Sequence, residues 1–101
     1  MTKHTWKNIY DLSDEQLHNL DKAEDLIEMM DLTKAEALLL DMKKEDPKCV
    51  PVLNVLAHMY GRHLSDFEEA IKLYNLVLEI EPDNAWARDE RRKYSRYLSY
   101  D

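Results

Sequence analysis

Residues 53–82 read LNVLAHMYGRHLSDFEEAIKLYNLVLEIEP, and the second half of that stretch has a precursor in residues 32–47, LTKAEALLLDMKKEDP. The offset is constant at 35 residues: Ala35 returns as Ala70, Leu39 as Tyr74, and Asp46-Pro47 as Glu81-Pro82. A period of that size, with a small residue, a large apolar one and an acidic-proline pair in the same order, marks a helical repeat. Proline ends each segment because the residue before it is pushed out of the α region.

Bulk composition agrees with an all-α chain. One Gly and three Pro in 101 residues are too few for a β-rich or loop-rich fold. The length fits a single domain with a small core, one that buries roughly 60–65% of its unfolded surface. The net charge of −7 argues against nucleic acid or an anionic membrane as partner. That charge is uneven. Residues 1–84 carry nine Lys or Arg against eighteen Asp or Glu, whereas residues 85–101 carry five against three, so the chain ends in a locally basic segment. Cys49 is the only cysteine, which excludes an internal disulfide and a cysteine metal cluster. No apolar run approaches the roughly 18 residues needed to cross a bilayer, and the first residues lack the apolar core of a signal peptide. The expectation is a soluble, cytoplasmic protein in a reducing compartment.

Working outward from the repeat, residues 1–12 form an N-terminal arm without a clear period, in which Trp6, Ile9, Tyr10 and Leu12 are the apolar members. Ser13-Asp14-Glu15-Gln16 predicts a capping box at the start of a first helix, which carries the stripe Leu17, Leu20, Ala23, Leu26, Ile27 and Met30. Thr33-Lys34-Ala35-Glu36 also has the form of a capping box, but the repeat phase places the start of the second helix nearer Asp31, the counterpart of Asp66. A third helix begins around Pro51, with Leu53, Leu56, Ala57 and Tyr60 inward, and closes between Gly61 and Leu64. Ser65-Asp66-Phe67-Glu68 predicts a capping box for the fourth, whose stripe is Phe67, Ala70, Ile71, Tyr74, Val77 and Leu78. Asp83 or Asn84 caps a fifth, from about 85 to 98.

Leu53-x-x-Leu56-Ala57-x-x-Tyr60, Ala70-x-x-x-Tyr74 and Pro82 resemble the tetratricopeptide repeat, with Leu53 in place of its tryptophan, Ala57 of its glycine and Tyr74 of its phenylalanine. One extra residue between Tyr60 and Phe67 is expected to lengthen the inner turn. Ala35-x-x-x-Leu39 with Asp46-Pro47 fits the second helix of an earlier repeat, whose first helix is degenerate: Asn19 and Lys22 stand where the pattern has tryptophan and leucine. The resemblance implies a right-handed helix-turn-helix array in residues 13–98. Repeat one would cover about 15–49, repeat two about 50–84, and a capping helix about 85–98.

It further implies a non-catalytic protein-interaction module that binds a peptide or partner protein in a concave groove lined by the first helix of each repeat. By phase, the groove residues are Asn54, His58 and Arg62 on the third helix, and Trp86, Asp89, Lys93, Arg96 and Tyr97 on the fifth. Leu20, Glu24, Ile27 and Glu28 come from the first. Arg62, Lys93 and Arg96 beside Trp86 and Tyr97 suit an acidic, aromatic-containing peptide. The lysine–asparagine carboxylate clamp of the chaperone-binding branch is missing, since Leu20, Glu24 and Val55 occupy its places. The alternative is a self-assembling protein or assembly subunit that uses Tyr94, Tyr97 and Tyr100 together with the Trp6/Tyr10 arm.

Reaction chemistry is not expected. His4, His18, His58 and His63 lack metal-ligand spacing, and no phosphate loop or nucleophile elbow occurs. No cofactor or metal is expected. Cys49, between Pro47 and Pro51, reads as inert packing. Met29, Met30 and Met42 read as core filler rather than a binding surface.

Overall fold

The computed structural model describes residues 7–99, with side chains from residue 9 onward. Among these residues there are five α-helices and no strand. No helix is long and apolar enough to cross a membrane. The chain divides into two units, residues 1–52 and 53–101. Trp6 and Tyr100, two of the aromatic residues in the self-assembly expectation, lie outside the described residues.

In the first unit a 3-10 turn at Lys7–Tyr10 precedes helix α1, Asp14–Glu28, and helix α2, Leu32–Glu45. The capping box at Ser13 forms as expected. The Gln16 N–H donates to Ser13 Oγ at 3.1 Å, and the Ser13 N–H donates to Gln16 Oε1 at 2.9 Å. Gln16 does a second job: its Nε2 donates to the Asp46 carboxylate at 2.9 Å, tying the start of α1 to the end of α2. Leu20, Ala23 and Ile27 of α1 and Ala35, Leu39 and Met42 of α2 are buried. The two alanines, with no exposed surface, permit the close approach of paired helices that larger side chains would block.

The second unit holds most of helix α3, Val50–His58, then helix α4, Phe67–Ile80, and helix α5, Ala85–Ser99. Helix α5 has no acidic residue in its first turn, so its cap rests on Asn84. The Ala87 N–H donates to Asn84 Oδ1 at 2.9 Å, and Asn84 Nδ2 donates to Glu81 at 3.0 Å. Asn84→Ala is therefore expected to cost about 1–2 kcal/mol, read as a lower denaturant midpoint with an unchanged m value. An unchanged midpoint would show that the bond contributes nothing net.

The sequence period reappears in the geometry. Helix α4 starts and ends 35 residues after α2, and the caps match: Asp31 and Asp66 at the N-termini have φ −90° and −92°, and Asp46 and Glu81 at the C-termini have φ −139° and −130°. The Asp46 N–H donates to the Met42 carbonyl and the Glu81 N–H to that of Val77, again 35 residues apart.

Three expectations need correction. Asp66, not Ser65, caps α4: its side chain accepts from the Glu69 N–H at 3.3 Å, while Ser65 sits at φ 54° in the left-handed region. The third helix closes within the expected Gly61–Leu64 span, but not as a regular α-helix. It continues as a π-helical turn over Met59–His63, in which the Leu64 N–H reaches the Met59 carbonyl at 3.2 Å. The extra residue of the second repeat therefore enters this turn rather than the loop. The two exits are otherwise alike, since the Asp31 N–H donates to Leu26 and that of Asp66 to Tyr60, both at 2.8 Å, each after one residue at positive φ (Met30 and Ser65). Finally, Met29 and Met30 are not core filler. Helix α1 has ended before them, and they are 68% and 61% exposed, whereas Met42 is buried.

Candidate functional site

The second unit brings two side-chain stripes together. On α3 and its π-turn, Asn54, His58 and Arg62 succeed one another at four-residue spacing. On α5, Trp86, Glu90, Lys93 and Tyr97 recur at i, i+4, i+7 and i+11, which places them on one helix face. The His58 ring lies 6.4 Å from that of Trp86 and 6.1 Å from that of His63. One turn further along, Arg62, Lys93 and Tyr97 line an open cleft of about 230 Å³ with Gly61, Ser65, Phe67 and Tyr94.

The aromatic side of this cleft is a continuous packed ladder. Tyr74 stacks on Tyr94 at 6.4 Å and 9°, and Tyr94 on Phe67 at 5.5 Å and 19°. Tyr97 meets Tyr94 edge-on at 5.8 Å and leans on Phe67 at 5.3 Å. Tyr74 and Tyr94 are buried, but Tyr97 is 44% exposed. The tyrosines of α5 thus divide: one seals the core, and one presents part of its ring outward.

Electrostatics along the stripe are set by Glu90. Its carboxylate accepts from Lys93 Nζ at 3.1 Å, and only 12% of the Glu90 side chain is exposed. Lys93 also sits 4.7 Å from the Tyr94 ring centre. Burial alone would lower the Lys93 pKa, but the Glu90 hydrogen bond and charge, together with Tyr94, raise it above the ordinary value. Arg62 and Arg96 are exposed and have no ion-pair partner among the described residues.

Among the described residues, three buried polar atoms of this unit have no hydrogen-bond partner: Asn54 Oδ1, His58 Nδ1 and the Tyr74 hydroxyl. Burial pushes the Tyr74 phenol well up, Glu90 and Tyr94 add to this, and the Trp86 indole works against it without meeting hydrogen-bond geometry. For His58, burial lowers the imidazole pKa below 6.5; His63, Lys93 and Arg62 reinforce this, and Glu90 opposes it. The neutral ring therefore carries no penalty above about pH 6.5 and destabilises the fold as pH falls below it, where the unfolded chain binds the extra proton. His58→Gln is expected to shrink the loss of melting temperature between about pH 7.5 and pH 5.5. An identical loss in both proteins would exclude this contribution.

Of the eight groove residues expected on α3 and α5, His58, Arg62, Trp86, Lys93 and Tyr97 are brought into this arrangement, and Asn54 lies one turn from His58. No hydrogen bond or ion pair links the Arg96 side chain to them; its carbonyl accepts the Ser99 hydroxyl at 2.9 Å. Asp89 pairs with Arg88 at 3.5 Å. From α1, Leu20 and Ile27 are buried and present no binding surface. Sequence reasoning misses Glu90, although its place four residues after Trp86 and three before Lys93 carries the signal.

Elsewhere, Cys49 is buried. Desolvation pushes its thiol up and the Asp46 charge adds to this, while a hydrogen bond from the Val52 N–H lowers it, so the thiolate is disfavoured. Among the described residues no group of His, Cys, Asp and Glu is placed to hold a metal ion. No protein-family model, curated protein or solved structure matches the chain.

Proposed function

We propose that this chain is a non-catalytic protein-interaction module of the tetratricopeptide-like kind, which holds a segment of a partner chain against the face formed by α3 and α5. The observation that carries the reading is the paired stripe of the second unit. Asn54, His58 and Arg62 run beside Trp86, Glu90, Lys93 and Tyr97, with exposed aromatic surface and an unpaired cationic charge. Such a combination suits recognition of a polypeptide, because aromatic anchors supply contact area and side-chain polar groups fix register. The 35-residue recurrence of helices and caps supports the repeat architecture.

The favoured ligand is an acidic peptide. Arg62 is a free guanidinium, whereas Lys93 is already engaged by Glu90, so Arg62 is the dominant charge for capture. The reading is tested by selecting ligands from a displayed random-peptide library. The wild-type protein is expected to enrich acidic, aromatic-containing peptides, and Arg62→Glu and Trp86→Ala are each expected to weaken them about tenfold or more. Arg96→Glu, off the stripe, is expected to change affinity by less than about threefold, as a rim charge would. Failure to enrich any peptide, or equal capture by Arg62→Glu, overturns the assignment.

A further inference from the structure

The cleft at the π-turn is more specific than a generally basic face, and its role as a subsite rests on the reading of that face as a binding surface. Its volume, about 230 Å³, lies below the roughly 300–1,000 Å³ typical of small-molecule pockets and is the size of one side chain. Two of its lining residues are cations, Arg62 and Lys93, and three are aromatic, Phe67, Tyr94 and Tyr97. The rings are not equivalent. Tyr94 is buried and fixed by stacking on both sides, while Tyr97 keeps nearly half of its surface open.

The cleft lies at the inserted residue. Arg62 sits inside the π-turn that absorbs it. At the same point Gly61, the only glycine in the chain, lets the Tyr94 ring lie against the helix backbone. Cation, aromatic wall and π-turn thus meet at one point.

We propose that this cleft is a subsite for an oxyanion carried on an aromatic ring, such as a phosphorylated or sulfated tyrosine side chain of a partner, and that Glu90 holds Lys93 partly away from it. A guanidinium and an ammonium bind the oxyanion by charge-assisted hydrogen bonds, and the exposed Tyr97 with the half-buried Phe67 takes the ring. An ammonium has three protons, so Lys93 keeps donors for the ligand while one is held by Glu90.

The test is an amide NMR titration of the full chain with phenyl phosphate, phenyl sulfate, inorganic phosphate and phenol. Phenyl phosphate or phenyl sulfate is expected to saturate shifts at Gly61, Arg62 and Tyr97, and the tighter of the two identifies the source. Inorganic phosphate and phenol are expected to bind at least about tenfold more weakly, each lacking one half of the recognition. Arg62→Glu removes binding while retaining the helical circular dichroism. Glu90→Gln moves affinity the other way, tightening it about two- to fivefold by releasing Lys93. The proposal is overturned if neither phenyl ester binds, if inorganic phosphate binds as well as they do, or if Arg62→Glu leaves binding unchanged. Peptide enrichment that persists without phenyl-ester binding removes this subsite and leaves the interaction face standing.

Discussion

Tyr94→Ala is expected to lower the unfolding free energy by about 3–5 kcal/mol, the range for deleting a buried aromatic side chain. Tyr94 is 2% exposed and touches rings from two directions, Tyr74 at 6.4 Å and Phe67 at 5.5 Å, with Tyr97 across its edge at 5.8 Å. No other aromatic residue of α5 is buried. In a domain of this size each kcal/mol shifts the melting temperature by about 4–8 °C, so a drop of more than about 12 °C is expected. Total stabilities are only about 5–15 kcal/mol, and the variant is expected to sit near its unfolding limit at about 37 °C. Tyr94→Phe separates ring from hydroxyl, and is expected to cost no more than about 1.5 kcal/mol. Thermal melts of the two variants decide it: equal losses would place the stabilisation in the hydroxyl rather than in ring packing.

Gly61→Ala is expected to destabilise by about 1–3 kcal/mol, against the usual sign for this exchange in a helix. In an ordinary helical position, alanine gains about 1 kcal/mol over glycine. Here an added Cβ would meet Tyr94 Cε2 and the Tyr94 hydroxyl oxygen at 2.7 Å each, distances that real side chains do not sustain. The ring cannot swing aside cheaply because Phe67 and Tyr74 both stack with it. A double-mutant cycle isolates the cause. In the Tyr94→Ala background the same Gly61→Ala change is expected to be neutral or stabilising, giving a coupling of about 1–4 kcal/mol. Additive effects would show that the glycine is needed for backbone freedom in the π-turn instead.

Several features of the fold are legible in local sequence because local chemistry fixes them. Ser13 and Gln16 form their box because serine oxygen and glutamine amide are the right lengths to reach each other's backbone N–H one turn away. Ala35 and Ala70 are recognisable as close-contact positions from the period alone, and both have no exposed surface. The choice of Asp31 over Thr33 as the start of α2 also comes from phase, since a repeat reuses its caps as well as its core. Met29 and Met30 mislead because their spacing continues the apolar stripe of α1 beyond the point where the helix ends. Met30 takes φ 61° in the exit turn, which throws the stripe out of register.

The candidate site is legible only in part, for a different physical reason. Residue spacing gives the face of one helix, and on that basis groups His58, Arg62, Trp86, Lys93 and Tyr97. It does not give which of several nearby charges neutralise one another. Lys93 is held by Glu90, Asp89 pairs with Arg88, and Arg96 has no ion-pair partner among the described residues.

The sequence by itself determined an all-α chain with a 35-residue period, its caps, its proline-terminated helices and most of its buried stripe. Each of these depends on contacts within a few residues or on a simple repeat of apolar side chains, so periodicity suffices to read them. Only the tertiary structure decided where the one inserted residue went, why the single glycine lies under Tyr94, and which cation remained free. The first two outcomes depend on steric exclusion between the α3 exit and α5, segments distant in sequence, where two solutions equal in local propensity differ in packing. The third depends on which rotamers the packed helices leave to Glu90 and Lys93. The π-turn is the point at which the repeat departs from its own pattern, and the cleft that opens there is a property of the folded chain alone.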